Sequence, residues 1–104
     1  VRVPVFVGHS EAVEIEFEKN ANVNEVREIL SNAYGVEVVD DIDNYVYPTP
    51  RDCEGKNPVY VGRIRKSIGF ENGITLFCVA DNLRIGAALN TVRLAQKVIE
   101  MGLY

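Results

Sequence analysis

The start of the chain has the pattern of two β-strands. Residues 1–7 are rich in valine and phenylalanine, which predicts a buried strand. Pro4 cannot donate a hydrogen bond to a neighbouring strand, so this strand should lie at an edge or be distorted there. From His9 onward, apolar residues alternate with glutamates: Val13, Ile15 and Phe17 share one face, and Glu14, Glu16 and Glu18 share the other. This alternation predicts a half-exposed strand.

A helix and a short strand are predicted next. Asn22 followed by Glu25 resembles a capping box and marks the helix start. Apolar residues then recur at helical spacing, at Val23, Val26, Ile29, Leu30 and Ala33. Gly35 fits the left-handed position that often ends a helix. Residues 36–39 predict a short strand, and the polar residues 40–56, which contain two prolines, predict a loop.

The rest of the chain predicts two strands and a final helix. Residues 58–66 and 73–80 form the strands, with Asn72-Gly73 as the turn signal, and the second is apolar on both faces and therefore central. Asp81 or Asn82 is expected to cap the helix, whose apolar stripe contains Ala88, Val92, Ala95 and Ile99, with Leu89 and Val98 beside it. We therefore predict an α+β fold in which helices pack on one face of a mixed or antiparallel sheet.

Composition narrows the classes of function. The chain has 104 residues, enough for one domain, and a net charge of −4, which argues against nucleic acid as a partner. It contains no long apolar run, so no membrane span is predicted. The two cysteines are too few for a disulfide scaffold and are not at metal-ligand spacing, so we expect a cytoplasmic protein without a metal. Because it opens at Val1 without an initiator methionine, we expect it to be part of a longer protein.

Three blocks of sequence carry a resemblance to a known family. They are residues 2–11 (RVPVFVGHSE), residues 47–65 (with YPTP, EGK and VGRIR) and residues 81–90 (DNLRIGAALN). Their order and spread over nearly the whole chain resemble the C-terminal portion of aspartate-semialdehyde dehydrogenases. Each block alone is a weak match, and together they are specific.

This resemblance implies an oxidoreductase of amino-acid biosynthesis. The family reduces β-aspartyl phosphate to aspartate semialdehyde with NADPH through a thioester on a cysteine, on the route to lysine, methionine, threonine and diaminopimelate. Residues 1–80 would be part of the substrate-binding and dimerisation domain, and residues 81–104 the helix that packs on the dinucleotide-binding domain of a homodimer or tetramer. The nucleophile's motif and the glycine-rich fingerprint are missing, so we expect this chain alone to be inactive.

Within the resemblance, His9 matches the acid–base histidine and Arg2 the anchor of the substrate carboxylate. An imidazole titrates near neutrality and can both give and take a proton, and a guanidinium can hold a carboxylate through two parallel hydrogen bonds. Outside the family context, His9 could be a histidine at a strand bend without a task, and Arg2 a solvated terminal arginine.

Strand geometry constrains this assignment. Seven residues separate Arg2 from His9, so a straight strand would place their Cα atoms ~23 Å apart and on opposite faces. One small substrate cannot contact both side chains across that span. We therefore predict a bend or bulge between them, at Pro4 or Gly8.

Asn82 and the two cysteines are the remaining side chains that bear on the site. Asn82 matches a family position that contacts NADP, and it also fits a helix cap; the two roles are compatible. Cys78 is expected to be a small core residue and Cys53 a loop thiol, and neither matches the family's nucleophile.

Two other interpretations stay open at this stage. One is a stand-alone, non-catalytic α+β module for dimerisation or ligand binding, which the missing nucleophile favours. The other is a segment of N-acetylglutamyl-phosphate reductase. The first and third blocks resemble this family less than they resemble aspartate-semialdehyde dehydrogenases. A glycine-rich βαβ unit and an Asn-Cys segment encoded upstream of Val1 would distinguish the dehydrogenase from the module.

Overall fold

The computed structural model describes residues 2–104 and has the predicted α+β fold. The elements in chain order are β1 (His9–Glu16), α1 (Val23–Ser31), β2 (Val36–Val38), α2 (Pro50–Cys53), β3 (Val59–Lys66), β4 (Gly73–Ala80), a π-helical segment (Arg84–Ala88) and α3 (Leu89–Glu100). The strands form one four-stranded mixed sheet in the order β1-β4-β3-β2. β1 and β3 each pair with β4 in antiparallel fashion, and β2 is parallel to β3. The prediction that residues 73–80 form a central strand is confirmed.

One face of the sheet packs against α1. Its buried residues are Val61, Ile64, Ile74 and Leu76, and side chains of α1 and of β1 pack against them. The alternation predicted from His9 onward is confirmed, because Val13 and Ile15 join this core while the glutamates between them are exposed. Asn22 caps α1 as predicted, and its Oδ1 accepts a hydrogen bond from the Asn24 backbone at 2.8 Å.

Helix α1 ends earlier than predicted. Its last residue is Ser31, and the turn tightens beyond it, with the Ala33 N–H donating to the Leu30 carbonyl at 3.1 Å. Gly35 nevertheless has the positive φ, 81°, that its sequence position predicts.

The opposite face packs against residues of the long loop. This loop contains one feature that the sequence pattern missed, the single helical turn α2, where the Asp52 carboxylate accepts hydrogen bonds from the Thr49 N–H at 2.6 Å and hydroxyl at 2.7 Å. Cys53, at the end of α2, is fully buried against Tyr60 and Val79. The core therefore lies on both faces of the sheet.

Asp40 joins the loop, α1 and an irregularity in β3. The pairing register shifts within β3, where Arg63 has a positive φ of 54°. The Asp40 carboxylate accepts hydrogen bonds from the backbone N–H groups of Arg63 at 2.6 Å and Ile64 at 3.3 Å. It also accepts two from the Arg27 guanidinium, at 3.1 and 2.7 Å, and its side chain is only 1% exposed. Four donors thus satisfy a buried charge.

The strand predicted for residues 1–7 is wrong for the residues that the structure describes; Val1 lies outside them. Residues 2–8 form no strand, and the chain bends at Pro4, Phe6 and Val7. The Val5 N–H donates to the Val3 carbonyl at 2.8 Å, which is a tight local turn. Regular pairing fails here because proline lacks an N–H and Gly8 adopts a φ of 94° that no regular strand has.

Helix α3 forms over the predicted region, but its predicted apolar stripe is exposed. Val92 and Ile99 are 54% and 64% exposed, and no residue of α3 is buried. The helix continues directly from the π-helical segment and contacts the rest of the chain mainly through it. Among residues 2–104, no helix combines the length and apolarity needed to cross a membrane.

Candidate active site

The bends in residues 2–8 bring Arg2 and His9 to one cavity. The cavity has a volume of about 390 Å³, and Arg2, Gly8, His9, Glu11 and Asn82 are among its lining residues. Without the bends, an extended chain would carry Arg2 ~23 Å from His9. The three residues that the sequence singled out, Arg2, His9 and Asn82, therefore line the same concave surface.

His9 begins β1 at the uncovered end of the sheet. It pairs with Ala80, and alternation places its side chain on the face that carries Val13 and Ile15. Helix α1 covers that face farther along the strand. At the His9 end, the face opens into a second, adjoining cavity of about 220 Å³, which Cys78, Ile85 and Gly86 help to line. The imidazole is exposed and can be reached from both cavities.

Asn82 contacts the His9 segment directly. Its Oδ1 accepts a hydrogen bond from the Gly8 N–H at 3.1 Å, across 74 positions of sequence. Because a backbone N–H can only donate, this bond assigns the amide orientation. The Nδ2 group, for which residues 2–104 provide no acceptor, remains able to donate to a ligand. Asn82 does not act as the helix cap that the sequence allowed.

Asp81 fixes the chain next to Asn82. Its two carboxylate oxygens accept hydrogen bonds from the backbone N–H groups of Gly55 and Leu83, each at 2.9 Å. The bond to Leu83 lies just ahead of the π-helical segment. These two hydrogen bonds, with a smaller contribution from the nearby Arg84 guanidinium, hold the pKa of the Asp81 carboxyl below its usual value. A charged carboxylate at this point ties the end of β4 to Gly55, the second residue after α2.

Neither cysteine has the properties of a nucleophile. Burial raises the pKa of the Cys53 thiol, and the negative charge of Asp81 raises it further. Burial also raises the pKa of the Cys78 thiol, with a smaller contribution from Glu11. The thiolate is the reactive form, so both thiols are expected to be inert at neutral pH. Cys78 packs against the core as predicted, and Cys53, predicted as a loop thiol, lies in the short helix α2 within that loop and is fully buried.

Gly8 is one of the two residues at which the sequence predicted a bend, and the structure shows in addition that its surroundings leave no room for a side chain. It has a φ of 94°, and a Cβ added there would lie 2.8 Å from the Cys53 Sγ and 3.2 Å from the Ala80 carbonyl oxygen. Strand geometry predicted the bend at this residue or at Pro4, but the packing against Cys53 depends on a part of the chain far away in sequence. A glycine directly before the first residue of an alternating strand was the available signal, because glycine is the residue that adopts positive φ at little cost.

Comparison with known protein families identifies the chain. The model of the semialdehyde dehydrogenase dimerisation domain matches residues 1–85. The chain belongs to this family. The match covers all of the sheet, the bent segment and Asn82, and it ends within the π-helical segment.

Individual relatives of this dimerisation domain agree with the resemblance. The chain is 50% identical over 103 residues to an aspartate-semialdehyde dehydrogenase of Aquifex aeolicus, covering 99% of this chain and 30% of the relative. It is 48% identical to that of Campylobacter jejuni, covering 97% and 29%. Among solved structures, aspartate semialdehyde dehydrogenase II of Vibrio cholerae, complexed with ASA, superposes with a TM-score of 0.84 at 42% identity, covering 95% and 29%. The chain thus spans about 30% of the length of the curated relatives it matches and corresponds to their C-terminal portion.

Proposed function

We propose that this chain is the C-terminal part of an NADP-dependent aspartate-semialdehyde dehydrogenase. The enzyme would convert β-aspartyl phosphate to aspartate semialdehyde with release of phosphate. The observation that carries the proposal is the cavity shared by Arg2, His9 and Asn82 in a member of the semialdehyde dehydrogenase family. Homodimer or tetramer formation by the whole protein, and a cytoplasmic location, belong to the same proposal; the free thiols of Cys53 and Cys78 support the latter.

His9 would move the proton that the reaction requires. When hydride is added to a thioester carbon, the carbonyl oxygen becomes an alkoxide that needs a proton, and the reverse reaction must remove that proton. An imidazole can do both, and positioned acid–base help contributes roughly 10²–10⁴ in rate. The exposure of His9 at the junction of two cavities supports this role, because the ring can reach a ligand in either one.

Arg2 would hold the substrate's carboxylate. Its guanidinium is exposed and lines the larger cavity with His9. Bidentate binding by arginine fixes the orientation of a carboxylate as well as balancing its charge. A short dicarboxylate derivative anchored in this way would present its other end toward His9.

Asn82 would contribute one contact to the cofactor. NADP, when bound, supplies or accepts the hydride. The Nδ2 group of Asn82 fits this role because its Oδ1 is already engaged by Gly8 while its donor remains available. The rest of the dinucleotide site would come from the part of the protein outside this chain, which agrees with a chain that spans about 30% of its relatives.

Residues 1–80 and 81–104 would have different partners in the whole enzyme. Residues 1–80 would be part of the substrate-binding and dimerisation domain. The exposed apolar side chains of α3, including Val92, Leu94 and Ile99, support the proposal that residues 81–104 pack on the dinucleotide-binding domain. This packing predicts that α3 amides exchange slowly with solvent in the whole protein.

The proposal is tested by assaying the full-length protein and this chain in parallel. Oxidation of aspartate semialdehyde in the presence of phosphate is followed through the absorbance of NADPH, with NAD as the alternative cofactor. We expect turnover with NADP by the full-length protein and none by the isolated chain. Turnover by the isolated chain would show that its own residues suffice, and that the proposal of inactivity is wrong.

Two variants assign the residue roles within the full-length protein. His9→Asn should lower kcat by roughly 10²–10⁴, and Arg2→Gln should raise the KM for aspartate semialdehyde. Arg51→Gln is the matched control, because Arg51 is an exposed arginine of α2 that does not line the cavity. Near-normal turnover of His9→Asn would overturn the acid–base assignment.

A further inference from the structure

We propose that Asn82 is a positioning residue: its Oδ1, by holding the Gly8 N–H, fixes His9 and the Arg2 segment relative to each other. This inference rests on the proposed function of His9 and Arg2. Asn82 would then have two roles: its Nδ2 contacts the cofactor, and its Oδ1 positions Gly8.

The hydrogen bond lies where regular pairing of β1 stops. The ladder between β1 and β4 ends at His9 and Ala80. Gly8, the preceding residue, has a φ of 94° and has left the strand conformation. Its N–H donates a hydrogen bond to the Asn82 Oδ1 at 3.1 Å instead of to a backbone carbonyl. Asn82 therefore supplies a hydrogen bond to the chain just beyond the last residue pair of the β1–β4 ladder.

Few contacts attach residues 2–8 to the rest of the chain. Within the part of the chain that the structure describes, the bond between Gly8 and Asn82 is the only hydrogen bond that joins residues 2–8 to the remainder; the bond between Val5 and Val3 lies inside the segment. The side chains of Val3, Val5 and Phe6 are 60%, 38% and 105% exposed, so packing is confined to the half-buried Val7 and Gly8. Release of the Gly8 amide would thus free the segment that carries Arg2 and loosen the residue adjoining His9.

Hydrogen bonds of the neighbouring residue Asp81 hold the backbone at Asn82. The neighbouring Asp81 is bonded to Gly55 and Leu83. On the other side, Gly8 faces the buried Cys53, whose Sγ would lie 2.8 Å from a Cβ added at Gly8 and donates to the Pro50 carbonyl at 3.1 Å. The bend is therefore held between α2 and the residue that follows β4, and Asn82 provides its hydrogen bond.

The acceptor and donor of the amide can be tested separately in the full-length enzyme. Asn82→Ala removes both, whereas Asn82→Asp keeps an acceptor for Gly8 and loses the donor for the cofactor. Hydrogen–deuterium exchange of the Gly8 amide and kinetics at saturating NADP, measured across pH to separate the effect of the added charge, are the readouts. Asn44→Ala is the control, because it removes a side-chain amide whose one partner among residues 2–104 is Asp41, in the turn of residues 41–46.

We expect Asn82→Ala to speed Gly8 exchange, to lower kcat by roughly tenfold to a hundredfold through misplacement of His9, and to raise the KM for aspartate semialdehyde. Asn82→Asp should restore slow exchange and most of kcat while the KM for NADP stays raised. If Asn82→Ala does not fold, Asn82→Leu is read by the same criteria.

Unchanged Gly8 exchange and unchanged kcat in Asn82→Ala, with only the KM for NADP raised, would overturn the positioning role. That result would leave the proposed function intact. Normal turnover of His9→Asn would instead refute the acid–base role of His9, so the two failures are distinguishable.

Discussion

Replacing Gly8 with alanine is expected to disturb both the stability of the sheet end and the placement of His9. An alanine Cβ would lie 2.8 Å from the Cys53 Sγ, and Gly8 has a φ of 94°. A left-handed conformation costs an L-residue about 1–2 kcal/mol, and crowding into a packed core adds about 1–3 kcal/mol. The sum predicts a loss of about 2–5 kcal/mol in the free energy of unfolding.

Two other glycines separate these contributions. Gly55 has a φ of 71° and no heavy atom within 4 Å of an added Cβ, so Gly55→Ala should show the backbone cost alone, about 1–2 kcal/mol. Gly86 is helical, and its added Cβ would meet only the Asn82 Cβ at 3.7 Å. Gly86→Ala should therefore be neutral or stabilising, by up to ~1 kcal/mol.

The assay is native-state hydrogen exchange of the β4 amides in the full-length protein, since exchange from a central strand reports the free energy of its opening. The predicted order of stability is Gly86→Ala, wild type, Gly55→Ala and then Gly8→Ala. If Gly8→Ala were no less stable than Gly55→Ala, the close contact between Gly8 and Cys53 would not constrain the bend. The structural account of the His9 segment would then be wrong.

Three further predictions concern buried polar groups. Asp40→Ala should cost about 1–3 kcal/mol because the backbone N–H groups of Arg63 and Ile64 lose their acceptor, whereas the exposed Asp41→Ala should cost little; equal losses in urea unfolding would contradict this. Because the pKa of the Asp81 carboxyl is lower in the folded than in the unfolded protein, its ionised form stabilises the fold at pH values above the unfolded pKa, about 3.9. This contribution is lost as the pH falls below that value. Asp81→Asn should therefore weaken the fall of the free energy of unfolding at acid pH. An unchanged pH dependence would refute the stabilising role of the Asp81 carboxylate. Because burial raises the pKa of both thiols, Cys53 and Cys78 should resist iodoacetamide at pH 7 until the protein unfolds, and rapid labelling of the folded protein would show otherwise.

Local patterns in the sequence were enough to predict most of the sheet. The alternation after His9, the Asn22 cap and the apolar run at residues 73–80 each depend on neighbours within a few positions. Such patterns report which face of an element is buried, so β1, α1 and β4 could be placed without knowledge of distant contacts.

Other features could not be predicted because they depend on distant parts of the chain. The partner of Asn82 lies 74 positions away, and nothing near Asn82 indicates that its side chain turns to Gly8 instead of capping a helix. The valine-rich residues 1–7 have strand propensity, but proline and a left-handed glycine prevail over it. The periodicity of α3 indicated which of its residues form an apolar stripe, yet no residue of this helix is buried within residues 2–104.

The most direct test of the shared site is a crystal structure of the full-length protein with aspartate semialdehyde bound. We predict that the substrate carboxylate lies against the Arg2 guanidinium in the cavity of about 390 Å³. The carbonyl oxygen should lie within hydrogen-bond reach of the His9 imidazole, ~2.6–3.2 Å. A substrate bound away from this cavity, or one that contacts Arg2 and leaves His9 out of reach, would contradict the account.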